Sequence, residues 1–123
     1  MAVAYDTLVG RSLEWTGVHH SPSGDFGDLS THVVTYETAD RCFVTACGQL
    51  VGEARYVYRK LDRRMAILLY YPTEYQGRND VVLHAMLDFE EHKDRAVIVA
   101  GDEPFAVADG AFHEVEPVRR PAK

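Results

Sequence analysis

The stretch EARYVYRKLDRRMAILLYY, Glu53 to Tyr71, decides the fold. From Glu53 to Lys60 it alternates, with Ala54, Tyr56 and Tyr58 on one face and Glu53, Arg55 and Val57 on the other. A period of two marks a β-strand, because successive side chains leave a strand on opposite sides. Asp62-Arg63 closes a hairpin, and Met65 to Tyr71 runs back as the most apolar part of the chain, expected to be buried on both faces or nearly so.

The same punctuation continues outward in both directions. On the N-terminal side, Thr31 to Thr38 is rich in the Val, Thr and Tyr that favour strands. Ala39-Asp40 turns the chain, Arg41 to Cys47 pairs back, and Gly48 and Gly52 bracket a bend or bulge. Arg11 to Thr16 is the first strand. It leads into a polar loop, His19 to Asp28, expected to lie as a mobile lid over a barrel mouth. On the C-terminal side, Pro72 to Asp80 is a loop. Val81 to Phe89 alternates, with Val82, His84, Met86 and Asp88 on one side and Val81, Leu83, Ala85, Leu87 and Phe89 on the other. Its residues also suit a helix capped by Asp80, and strand is the favoured reading. Glu90 to Asp94 turns, Arg95 to Val99 is a short buried strand, and Gly101 to Pro104 turns again. Phe105 to Val115 is the last strand, interrupted at Asp109-Gly110. The polar tail from Glu116 to Lys123 is expected to fray.

Eight strands joined mainly by hairpins predict an all-β protein, a small antiparallel eight-stranded calycin-like β-barrel. Closure removes the exposed edges, and a barrel of this size is either filled by its own side chains or holds one small ligand. The chain of 123 residues reads as a single domain, with the barrel over about residues 8–115. That is long enough to bury a core without disulfide or metal staples. Cys42 and Cys47, on opposite faces of one strand, are expected to stay reduced. A formal charge of −6 and scattered basic residues argue against nucleic acid as a partner. No secretion signal and no membrane-spanning apolar run are read, so a cytoplasmic protein is expected, open to homodimer formation.

The segment Leu8-Val9-Gly10-Arg11-Ser12-Leu13-Glu14-Trp15 resembles the opening of the MoaF-like calycins and of their relatives, the phenolic acid decarboxylases. The order downstream is similar too: an aromatic strand end, Tyr70-Tyr71, then Pro72-Thr73, then the apolar strand Val81 to Phe89. The resemblance spans most of residues 7–115. It implies an eight-stranded barrel with an internal small-molecule site. In the decarboxylases two first-strand tyrosines orient the substrate carboxylate, and an arginine and a glutamate act deeper in the barrel. Here Glu14 and Thr16 stand at the tyrosine positions, and Pro72 stands near the expected glutamate, with Glu74 beyond it. Arg55 could take the arginine's part. These departures speak against decarboxylation of a hydroxycinnamate. The lipocalin glycine-x-tryptophan signature is absent.

Candidate chemistry rests on tyrosines and histidines. Tyr36, Tyr56, Tyr58, Tyr70 and Tyr71 lie on strands, where a tyrosine offers a flat apolar wall and an orienting hydroxyl; ordinary packing is the alternative for each. His84 lies in an apolar segment and could serve as a general base with Asp88 fixing its tautomer. Glu14, if inward, would be an acid or base with a raised pKa. The candidate catalytic residues are therefore His84, Tyr58 and Glu14, and the candidate ligand contacts are Trp15, His32, Tyr36, Arg55, Tyr56, Tyr70 and Met86. Adjacent histidines His19-His20 lack a third ligand at metal spacing, so no metal and no cofactor are expected. No nucleophile elbow, phosphate loop or dinucleotide fingerprint occurs. Three readings follow. The first is a cofactor-independent lyase, isomerase or cyclase acting on a small apolar or aromatic metabolite. The second is a carrier or sensor of such a molecule. The third is a barrel filled by its own side chains.

Overall fold

The computed structural model describes residues 3–21, 24–25, 29–74 and 78–121. Among the described residues nine strands follow in chain order: β1 (Ser12–Ser21), β2 (Gly24–Asp25), β3 (Ser30–Tyr36), β4 (Arg41–Ala46), β5 (Gln49–Lys60), β6 (Met65–Pro72), β7 (Val81–Asp88), β8 (Lys93–Ala100) and β9 (Glu103–Val115). Every pairing is antiparallel, and β1 also pairs with β9, so eight strands close into a barrel while the two-residue β2 extends the end of β1. The expected eight-stranded barrel is observed. Residues 81–88 are strand, because their apolar face, Val81, Ala85 and Leu87, points into the core. No helix among the described residues is long and apolar enough to cross a membrane.

The two ends of the barrel differ. At one end the N-terminal segment folds under the strands as a plug. Ala4 and Leu8 are buried there, the Ala4 amide donates to the Arg63 carbonyl at 2.6 Å, and Tyr5 packs edge-on against Phe89. The other end carries the β4–β5 turn, the β6–β7 connection and the β8–β9 turn. The β4–β5 turn is a two-residue hairpin with Cys47 and Gly48 both at positive φ (53° and 78°), as a type I′ turn requires. Cys42 is buried and Cys47 exposed, and both are free.

Several local expectations are revised. β1 runs on through His19, His20 and Ser21, because their backbones pair with β9 and β2. Much of the expected lid, residues 22–23 and 26–28, lies outside the described residues. β9 is continuous across Asp109-Gly110, which pairs with β1 and β8. The outer face of β6 is only half-buried, while Ala66 and Leu68 inside are fully buried. The tail does not fray over its described part. Val118 donates its amide to Ser12 Oγ at 2.9 Å, and Arg120 pairs with Glu37 and Glu53 and lies over the Phe43 ring. Ser12, Thr35 and Phe43, although on the outside of the barrel wall, are thereby buried.

Candidate ligand cavity

Eight-stranded barrels are just wide enough for large inward side chains to fill them. Here the half near the plug is filled, by Tyr56, Leu68, Leu87, Phe89 and Leu8. The other half is not. Ala85, Ala96 and Ala108 face inward on β7, β8 and β9 and are paired directly across the sheet, so one row of three alanines hollows the wall. Ala54 adds a fourth small residue. The result is a cavity of about 240 Å³ walled by Leu13, Val34, Val44, Leu83 and Phe112 besides these alanines. It is large for a packed interior, where voids seldom exceed a water molecule.

Trp15 shapes one side of the cavity. Its indole lies on Gly17 and Gly110, which pair with each other across β1 and β9. A Cβ built at Gly110 would fall 2.3 Å from the ring, and one at Gly17 would fall 2.6 Å from it and 2.3 Å from the Asp109 carbonyl. Only glycine permits so close an approach. The indole Nε1–H donates to the Asp94 carbonyl at 3.0 Å. His32 stacks on the indole and His19 lies tilted to it, with ring centroids 5.1 and 5.2 Å away. Burial lowers the pKa of His32 to about 4, helped by His19, and burial also lowers that of His19. Both imidazoles are therefore neutral at pH 7. Among the described residues no three His, Cys, Asp or Glu side chains converge as a metal site.

The polar end of the cavity is formed by Asp94, Tyr36 and Tyr70. The two tyrosine hydroxyls are hydrogen-bonded to each other, and burial holds both pKa values well above the ordinary one. Asp94 alternates with inward Ala96 and Ile98 on β8. Its side chain is accessible to the cavity it lines and otherwise enclosed, and burial alone pushes its pKa up to about 7. No described residue donates a hydrogen bond or ion pair to its carboxyl; the bond from Trp15 ends on its main chain. A carboxyl reached only from a cavity, with its pKa raised and no described partner, is the kind of group found at functional sites.

The sequence candidates divide sharply. Trp15, His32, Tyr36 and Tyr70 line the cavity together. Tyr56 is inward but sits behind Tyr36, edge-on at 4.9 Å, and donates its hydroxyl to the Thr38 carbonyl. Tyr58 donates to the Tyr5 carbonyl at 2.5 Å and so anchors the plug. The remaining four are corrections. His84 and Met86 stand exposed on the outer face of β7, because the opposite face is the more apolar one and takes the interior. Asp88, the expected partner of His84, instead receives both Arg64 Nε and Nη2, at 2.9 and 2.6 Å. Arg55 is exposed and stacks on Tyr71, 4.1 Å from the ring centre. Glu14 faces outward toward His113, 3.4 Å away.

Asp94 is the residue that sequence reading missed. Assigned to a turn, it is in fact the second residue of β8. The signal was present: extending the alternation of Ala96 and Ile98 back by one step puts Asp94 inside. Comparison with protein-family models, with curated proteins and with solved structures finds no match for this chain.

Proposed function

We propose that this barrel binds one small, largely apolar or aromatic molecule in its hollow half and anchors the molecule's polar group at Asp94. The observation that carries the reading is a carboxyl that no described residue partners, in a mostly apolar cavity. Ligand sites have this composition, mostly apolar wall with few convergent polar groups. The calycin-like architecture that the opening segment resembles fits the same use. Native mass spectrometry of the purified protein tests it. A bound small molecule is expected in the wild type and lost in Ala96→Leu, which fills the alanine row. An A96L variant that keeps the molecule would refute the site.

A second reading is favoured by one further fact. Asp94 titrates near neutrality beside two neutral tyrosine hydroxyls. That combination suits a cofactor-independent isomerase or lyase, with the carboxyl exchanging a proton and the hydroxyls stabilising a developing oxyanion. Asp94 then takes the acid–base role that the sequence offered to His84 and Glu14. Incubating the co-purified molecule with protein in D₂O separates the two readings. Uptake of carbon-bound deuterium that depends on Asp94 supports catalysis, and its absence leaves a carrier or sensor.

A further inference from the structure

We propose that the cavity selects a small organic cation, a protonated primary amine on an aromatic or apolar body, and rejects carboxylates. The inference rests on the cavity being the ligand site and names the chemical class that completes it. Asp94 presents an enclosed carboxyl that no described residue satisfies, and the natural complement of such a group is a charged donor. The described lining contains no lysine or arginine. Arg55, the one cation that sequence placed here, is outside the barrel against Tyr71. The two lining histidines are held neutral by burial. A carboxylate entering would meet an acid and no counter-charge, and a like charge at that range is repelled.

The rest of the lining fits an ammonium group. The hydroxyl oxygens of Tyr36 and Tyr70 have lone pairs for the N–H donors that Asp94 does not take. Trp15, Tyr36, Tyr70 and Phe112 give the space an aromatic lining, and aromatic rings attract cations. Glu74 at the cavity margin and a net charge of −6 favour approach of a cation. The size is also bounded. A dry cavity of roughly 150 Å³ accepts a benzene ring, so about 240 Å³ accommodates on the order of ten non-hydrogen atoms by the same scaling. That is an aromatic ring with a short arm.

Three near-isosteres of that size test the proposal by calorimetric titration at pH 8: 2-phenylethylamine, 2-phenylethanol and phenylacetate. The amine is expected to bind about tenfold or more tightly than the alcohol, the advantage of a charge-assisted contact over a neutral one, and phenylacetate is expected not to bind. In Asp94→Asn the amine should fall to the level of the alcohol, whose retained binding also shows that the barrel is intact. Equal binding of amine and alcohol by the wild type, a carboxylate as tight as the amine, or an amine preference that survives in D94N overturns the charge selection while leaving the cavity in use. Failure of all three probes to bind overturns the ligand site itself, and the amine proposal with it.

Discussion

Replacing Gly110 by alanine probes how the cavity wall is built. The new methyl carbon would sit 2.3 to 2.5 Å from Trp15 Cε2, Cζ2 and Nε1, inside any real contact distance. The backbone at Gly110 is locked by pairing to both β1 and β8, so the indole must move. Moving it breaks the hydrogen bond to the Asp94 carbonyl and disturbs the stacking on His32. Overpacking of this kind costs about 1–3 kcal/mol, and the lost bond adds roughly 1 kcal/mol. A total of about 2–4 kcal/mol should lower the melting temperature by roughly 10 °C in a domain of this size. Trp15 is the single tryptophan, so its fluorescence reports the event directly, and emission should shift to the red as the ring leaves its seat. Adding Trp15→Ala removes the clash, so G110A on that background should cost much less, and the double-mutant cycle should show strong coupling. An unchanged emission maximum together with unchanged stability in G110A would refute this account of the wall.

Further outcomes follow from the same contacts. Asp94 has its pKa raised from 3.8 to about 7 in the fold, so the folded state holds a proton that the unfolded state has released. Its contribution therefore becomes unfavourable as pH rises between those values and is fully unfavourable above about 7. Urea unfolding should show D94N gaining a few kcal/mol on the wild type between pH 4 and 8; a difference that does not change with pH would contradict the burial of this carboxyl. Truncation after Glu116 removes the strap over Ser12, Thr35 and Phe43 and should destabilise by about 2–3 kcal/mol, the value of burying one large apolar side chain. Arg120→Ala alone should cost under about 1 kcal/mol in the same unfolding assay, since its ion pairs are partly exposed and screened by solvent. His84→Ala, on the outer surface, should change stability by less than about 0.5 kcal/mol and leave the affinity for any cavity ligand unaltered in titration.

The primary sequence alone determines the strand count of the barrel and the hairpin order. Alternation and turn residues are local, whereas the face that turns inward is not: Arg55 and Tyr56, neighbours on β5, both read as ligand contacts, and only the structure places Tyr56 inside and Arg55 outside. Closure into a barrel also follows, since eight short antiparallel strands have few other ways to hide their edges. The tertiary structure decides which face of β7 turns inward where both faces hold apolar residues. His84 and Met86 lost that competition to Ala85 and Leu87, and with them went the chemistry assigned to that strand. It also decides where space is left. Ala85, Ala96 and Ala108 are unremarkable one at a time and hollow the barrel only because register sets them side by side. The same holds for Gly17 and Gly110, far apart in sequence and opposite each other beneath Trp15. Asp94 reads as a turn residue from its neighbours Glu90 to Lys93. It comes to line the cavity because cross-strand pairing begins one residue before it, and that pairing decides how far back the alternation of Ala96 and Ile98 runs.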